Sequence, residues 1–174
     1  ISNDKLSENG VMANRTMNTL LHLLEAYTEL YRVDTKEEVA ICIRQMLDTF
    51  ADKVYNPELR RLEVFFDPDW NSLIDLHSYG HDIEASWLID RTCEVLNDEY
   101  YTKKISTITK DLAGYIHQVA LDRDSSVFNE CVNGLVDKTK VWWVQAEAIL
   151  GFVNGYQVDQ TREDYLETSK NIWA

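Results

Sequence analysis

The densest group of side chains able to do chemistry is His77-Ser78-Tyr79-Gly80-His81-Asp82-Ile83-Glu84-Ala85-Ser86-Trp87. If a helix begins after Gly80, then His81, Glu84 and Trp87 or Leu88 share one face, while His77 lies outside the helix and points elsewhere. A titratable pair beside an indole suits a surface that faces a sugar. His81 in a first helical turn feels the positive end of the dipole, which favours the neutral ring, whereas Asp82 and Glu84 favour the cation. The opposed pulls predict a pKa near neutrality, as a proton-transfer base requires. The competing reading makes His81 and Asp82 simple helix caps and Glu84 a solvated first-turn acid. Zinc held by His77, His81 and Glu84 is disfavoured, because Gly80 interrupts the i, i+4 geometry of a helical His pair, and no metal is expected.

A second group is Val141-Trp142-Trp143-Val144-Gln145-Ala146-Glu147-Ala148, in which Trp143 and Glu147 form an i, i+4 pair on one helical face. An indole plate packs on the C–H face of a pyranose, and a carboxylate accepts its hydroxyl protons. Trp142 reads as a core residue. His22 stands among Leu20, Leu21, Leu23 and Leu24 with Asn18 one turn earlier on the same face; it reads either as a substrate-facing group or as a satisfied core histidine. His117 reads as a surface residue of an outer helix. There is no G-x-S-x-G, Gly-rich phosphate loop or nucleophilic cysteine signature, so hydrolase triads and nucleotide chemistry lack support.

The elements that must position these groups are helices. Apolar residues recur at helical spacing from Thr16 to Tyr31, with Asn14 or Thr16 as cap, and from a capping box at Thr35 and Glu38 through to Val54, before Pro57. Leu62 to Phe66 reads as a short strand and Leu73 to Tyr79 as a second. Helices follow from His81 to Leu96 and from Glu99 to Leu121, the latter with a stripe of Tyr101, Ile105, Ile108, Leu112, Tyr115 and Val119. After a polar stretch from Asp122 to Asp137 come helices from Thr139 to Tyr156 and from Arg162 to Trp173, the last with Thr161 and Asp164 as its start signal. The result is three helical hairpins. His22, Glu84 and Glu147 lie 62 and 63 residues apart, so in a stacked or circular array of hairpins they would converge on one axis.

The 174 residues fit one domain. Lys plus Arg number 17 against 30 Asp plus Glu, a formal charge of -13 that repels nucleic acid and anionic membrane surfaces. No apolar run approaches the roughly 20 residues of a membrane span. Cys42, Cys93 and Cys131 are an odd, widely spaced set, which points to a reducing cytoplasm. The chain opens at Ile1 with neither Met nor a basic leader, so it reads as processed or cut from a longer one.

The segments Ser7-Glu8-Asn9-Gly10 leading to Met17-Asn18 and His22, His77 to Ala85 with Trp87, and Val141 to Ala148 resemble the N-acylglucosamine 2-epimerase superfamily, and within it the cellobiose 2-epimerase branch. The resemblance spans nearly the whole chain. It implies an (α/α)6 toroid, here about half of it as a single partial domain over 1–174, and an isomerase that inverts carbon 2 of a reducing-end sugar without metal or organic cofactor. It implies that the ring opens, that one histidine abstracts the proton alpha to the aldehyde, and that a second serves the opposite face of a cis-enediolate. On this resemblance His81 is an acid/base and His22 assists ring opening, while Asn18, Glu84, Trp87, Trp143 and Glu147 hold the sugar. The family's N-terminal arginine-bearing portion and its second catalytic histidine have no counterpart here. A partial barrel is therefore expected to be inactive alone and to self-associate through its exposed hairpin edges. The alternatives are an (α/α)6 glycoside hydrolase, with Glu84 paired to Glu147 or Asp82, and a non-catalytic helical scaffold.

Overall fold

The computed structural model describes residues 10–174; Ile1 and the segment from Ser7 to Asn9 lie outside the described residues. Six helices form three hairpins: α1 (Met17–Val33) with α2 (Glu37–Thr49), α3 (Tyr79–Leu96) with α4 (Glu99–Val119), and α5 (Trp142–Val158) with α6 (Glu163–Trp173). The connections within each pair are short, which forces antiparallel packing. α3 lies between α1 and α5, and each second helix backs its own first helix. The chain is thus all-α with half the helices of an (α/α)6 toroid.

Local chemistry explains most boundaries. The Thr16 hydroxyl caps α1 by accepting from Thr19 N at 3.2 Å, and Met17, Leu21, Leu24 and Thr28 form its buried face. The apolar pattern of α2 runs on through Phe50–Val54, but that last segment winds as a π-helix. Asn97, in the left-handed region at φ 52°, ends α3, and Asp98 at once caps α4 by accepting from Tyr100 N at 3.1 Å. α3 has no single apolar stripe because neighbours cover it on nearly every side. It begins at Tyr79, two residues earlier than expected, so Gly80 lies inside its first turn.

Two expected start signals do not form. Lys36, not Thr35, is the N-cap of α2 and makes no side-chain cap bond, so Thr35 and Glu38 close no capping box. Arg162 is the N-cap of α6, again without a side-chain cap bond. There Thr161 Oγ1 donates to Asp159 at 2.6 Å, and Asp164 pairs with Arg162. At Thr161 and Asp164 a nearer polar partner in the turn wins.

Short strands tie the helix starts together. β1 (Arg15–Thr16) pairs with β4 (Phe65–Phe66), and β2 (Tyr55–Asn56) pairs with β3 (Arg61–Leu62). The expected strand from Leu62 to Phe66 is therefore split between two partners. The expected second strand contracts to β5 (Leu76–Ser78), which joins β6 (Glu130–Val132) and β7 (Leu135–Asp137) in an antiparallel sheet. This sheet corrects the reading of 122–137 as a polar connection. The β6–β7 turn is Asn133-Gly134, both at positive φ, 50° and 78°.

One apolar core gathers around α1, α2 and their sides of α3 and α4, with Leu21, Ile43, Phe50 and Ile89 at its centre; a second, with Ile83, Ile116, Val144 and Phe152, joins α3 and α4 to α5 and α6. His117 belongs to this second contact, not to the surface. Its Nε2 lies 3.0 Å from Thr168 Oγ1 and its ring stands edge-on to Phe152. Trp142 is the reverse correction, 80% exposed at the first residue of α5, one position before the side chains that meet α3. Among the described residues no helix is long and apolar enough to cross a membrane.

Candidate active site at the starts of the inner helices

Thr16, Ser78 and Val141 are the N-caps of α1, α3 and α5, and all three border one open cleft of about 490 Å³. The inner helices therefore start at a common rim and run the same way, which places equivalent turns at equivalent heights. Their first turns bring Asn18, His81 and Trp143 to the cleft wall. One turn further along stand His22, Glu84 and Glu147. Glu84 feels the charges of both Glu147 and His22, and Glu147 feels His22, so the residues 62 and 63 apart are within electrostatic reach of one another.

His81 is held from two sides. Its Nδ1 lies 2.7 Å from Ser78 Oγ, and its ring packs against Trp143 with centroids 5.0 Å apart at 58°. Trp143 comes so close only because position 80 is glycine; a Cβ there would lie 2.5 Å from the indole. Burial lowers the His81 pKa from 6.5 to about 4, with His22 acting in the same direction, so the ring is neutral. The pKa near neutrality expected from the pull of Asp82 does not arise. Asp82 is fully buried on the other side of the helix start, 2.8 Å from His77 Nε2 and accepting from Leu62 N. His77 stacks on Tyr115 and faces away from His81.

The two carboxylates are partly desolvated. Burial raises Glu84 from 4.5 to about 7, Glu147 adds to the rise and His22 opposes it. Burial likewise raises Glu147, while the Trp87 indole N–H, donating to Glu147 Oε2 at 2.8 Å, works against that rise. Trp87 thus reaches from α3 to fix a carboxylate on α5. His22 is no core residue. Its side chain is 52% exposed, with Nδ1 3.0 Å from Glu25 Oε2. Among the described residues this gives a concave wall with a neutral imidazole, two protonatable carboxyls and an indole plate, bordered by three helix N-termini that favour negative charge.

Two members of this wall escaped the sequence reading. Glu25 bonds His22 and bears on the charges of both Glu84 and Glu147; its i+3 spacing from His22 on an inner face was the available signal. Ser78 had no such signal, since its contact depends on where β5 meets α3. A second cavity, beside Asp90, Thr109 and Asn154, measures about 50 Å³, which fits water and not a sugar.

Known proteins share this sequence pattern and this fold. The family model for N-acylglucosamine 2-epimerase (GlcNAc 2-epimerase) matches residues 3–174. The chain is similar to the cellobiose 2-epimerase of Ruminococcus albus, 47% identical over 173 residues, which cover 99% of this chain and 44% of that protein. It is also similar to the crystal structure of a sugar epimerase from a ruminal bacterium (TM-score 0.94, 47% identity) and to the structure of cellobiose 2-epimerase from Bacillus thermoamylovorans B4167 (TM-score 0.91, 47% identity). Each alignment covers 99% of this chain and 44% of the other. The chain thus spans less than half the length of the relatives it matches.

Proposed function

This chain belongs to the N-acylglucosamine 2-epimerase family, and from that premise we propose that its cleft receives the reducing end of a sugar such as cellobiose for inversion at carbon 2. The observation that carries the reading is a neutral histidine pinned against an indole at the cleft wall, with paired carboxyls one turn below. Trp143 stacks on the sugar ring. Glu84 and Glu147 bind its hydroxyls, the latter oriented by Trp87, and Asn18 and His22 contact the substrate, with His22 passing protons during ring opening. His81 in its neutral form takes the proton from carbon 2. The negative charge of the resulting cis-enediolate faces three helix N-termini and favours the imidazolium just formed. His81 serves one face of that intermediate, and the opposite face takes its proton from a group outside these 174 residues. On the same reading the three hairpins are one partial domain, the middle of a longer barrel, and no metal or organic cofactor takes part. The three free thiols support a cytoplasmic setting.

The test grafts this chain into the Ruminococcus albus enzyme in place of the matching 44%. His81→Asn keeps size and hydrogen bonding but removes the titrating nitrogen, so turnover should fall by roughly 10²- to 10⁴-fold, the usual contribution of general acid–base catalysis, with cellobiose binding retained. Trp143→Ala should weaken binding more than turnover, since stacking is made in ground and transition states alike. A His81→Asn graft that melts lower yet turns over normally per folded molecule makes His81 a cap and sinks the assignment.

A further inference from the structure

We infer that Ser78 is a positioning residue for His81, its hydroxyl holding the ring's Nδ1 so that Nε2 is the nitrogen presented to the cleft. The contact is 2.7 Å, between a buried serine, 7% exposed, and a ring that lines the cleft. Ser78 occupies the N-cap of α3, where a serine hydroxyl ordinarily accepts from a backbone N–H two or three residues on. It makes no such bond. The side chain best suited to capping the helix is instead committed to the imidazole, and a local rule broken beside a candidate site is a functional signal.

The backbone beneath Ser78 is fixed from both sides. In β5 it stands opposite Glu130 of β6, and its neighbour His77 is anchored to Asp82 at 2.8 Å and stacked on Tyr115. The other side of the ring is set by Trp143, whose approach depends on Gly80. Between hydroxyl and indole the imidazole has little freedom to turn. A hydroxyl also suits the chemistry. With the proton on Nδ1 the ring donates to Ser78 Oγ and offers a lone pair at Nε2, and the same bond persists once Nε2 takes up a proton. A carboxylate at this place would favour the cation throughout and make the ring hard to return to its basic form.

The inference rests on His81 being the base, yet it can be read without turnover. Ring ¹⁵N chemical shifts of His81, recorded on the labelled 174-residue chain between pH 5 and 8, report which nitrogen carries the proton. In the native chain Nδ1–H should predominate. In Ser78→Ala the ratio should move by about fivefold toward Nε2–H, the effect of one neutral hydrogen bond, and Ser78→Thr should restore it. The titratable groups around the ring, His22 on α1, Glu84 on α3, Glu147 on α5 and Glu130 on β6, are the same in all three chains. A ratio unchanged in Ser78→Ala with a native amide spectrum overturns the inference, as does Ser78→Thr that folds but behaves like Ser78→Ala. In the graft, Ser78→Ala should lower kcat with KM little changed. If the ring lock is found while His81→Asn leaves turnover intact, the positioning stands and the catalytic reading falls.

Discussion

Glu84 is a partly desolvated carboxyl of the inner wall, and its proton should be visible in folding. Its pKa is raised from 4.5 to about 7 by burial and by Glu147, so the folded chain keeps a proton that the unfolded chain has lost. Folding stability is therefore expected to fall as pH rises from 4.5 through about 7. His81 contributes with the opposite sign. Its pKa is lowered to about 4, so its share is present above 6.5 and lost as pH falls toward 4. Glu84→Gln removes the first effect alone and should gain stability relative to the native chain between pH 5 and pH 8 in denaturant unfolding. A difference that stays constant over that range contradicts the burial of this carboxyl. At this scale helical spacing was enough to put His81 and Glu84 on one face of α3 and Trp143 with Glu147 on one face of α5. The choice between a core and a cleft-facing His22 was not written in the spacing, and the roles of Asn18, His22 and Trp87 came only from the resemblance. Glu25 carried the spacing signal unnoticed. Ser78 was not legible, because its contact is made where a strand turns into a helix, and the direction of Asp82 was hidden because its partners His77 and Leu62 N lie outside the helix.

Among the elements, the crossing of α3 and α5 decides the geometry of the site. A Cβ at Gly80 would lie 2.5 and 2.6 Å from the Trp143 indole and 2.7 Å from Val144, and Val144 is fully buried. Gly80→Ala must push α5 outward or drive the indole from His81, so a loss of about 1–3 kcal/mol, typical of overpacking, is expected in thermal unfolding. Quenching of indole fluorescence by acrylamide should rise at the same time. An alanine variant as stable as the native chain would show that the helices do not meet this closely. The hairpin pattern was legible because α1, α2, α4 and α6 carry a clear apolar period and short polar turns separate the members of each pair. The β6–β7 hairpin was not, although Asn133-Gly134 is a strong turn signal. Its strands are three residues each and β7 is exposed throughout, so no alternation of apolar and polar residues marks them. The failed cap at Thr161 has a similar origin. Spacing finds a potential cap but not the nearer partner that takes it.

For the whole molecule, the repeat of inner polar residues at 62 and 63 positions foresaw hairpins whose first helices converge, while the half toroid itself came from the resemblance. What packs against its outer hairpins is not written in any period. Leu23 and Leu30 on α1, and Leu150 on α5 with Trp173 on α6, are all more than 40% exposed. Burial is worth roughly 25 cal/mol per Å² of apolar surface, so the 174-residue chain is expected to self-associate through its first or last hairpin. Light scattering should find a mass above the monomer at high concentration, reduced by Leu23→Glu or Leu150→Glu. A monomer at every concentration refutes this.

The most direct measurement of the proposed chemistry is incubation of the grafted enzyme with cellobiose in deuterated water, followed by mass and NMR analysis of the sugar. The expected result is a disaccharide inverted at carbon 2 that carries solvent deuterium on that carbon, with deuterium uptake lost in His81→Asn. Release of glucose with no deuterium at carbon 2 would make Glu84 and Glu147 the carboxyl pair of a glycosidase, and would contradict proton abstraction by His81.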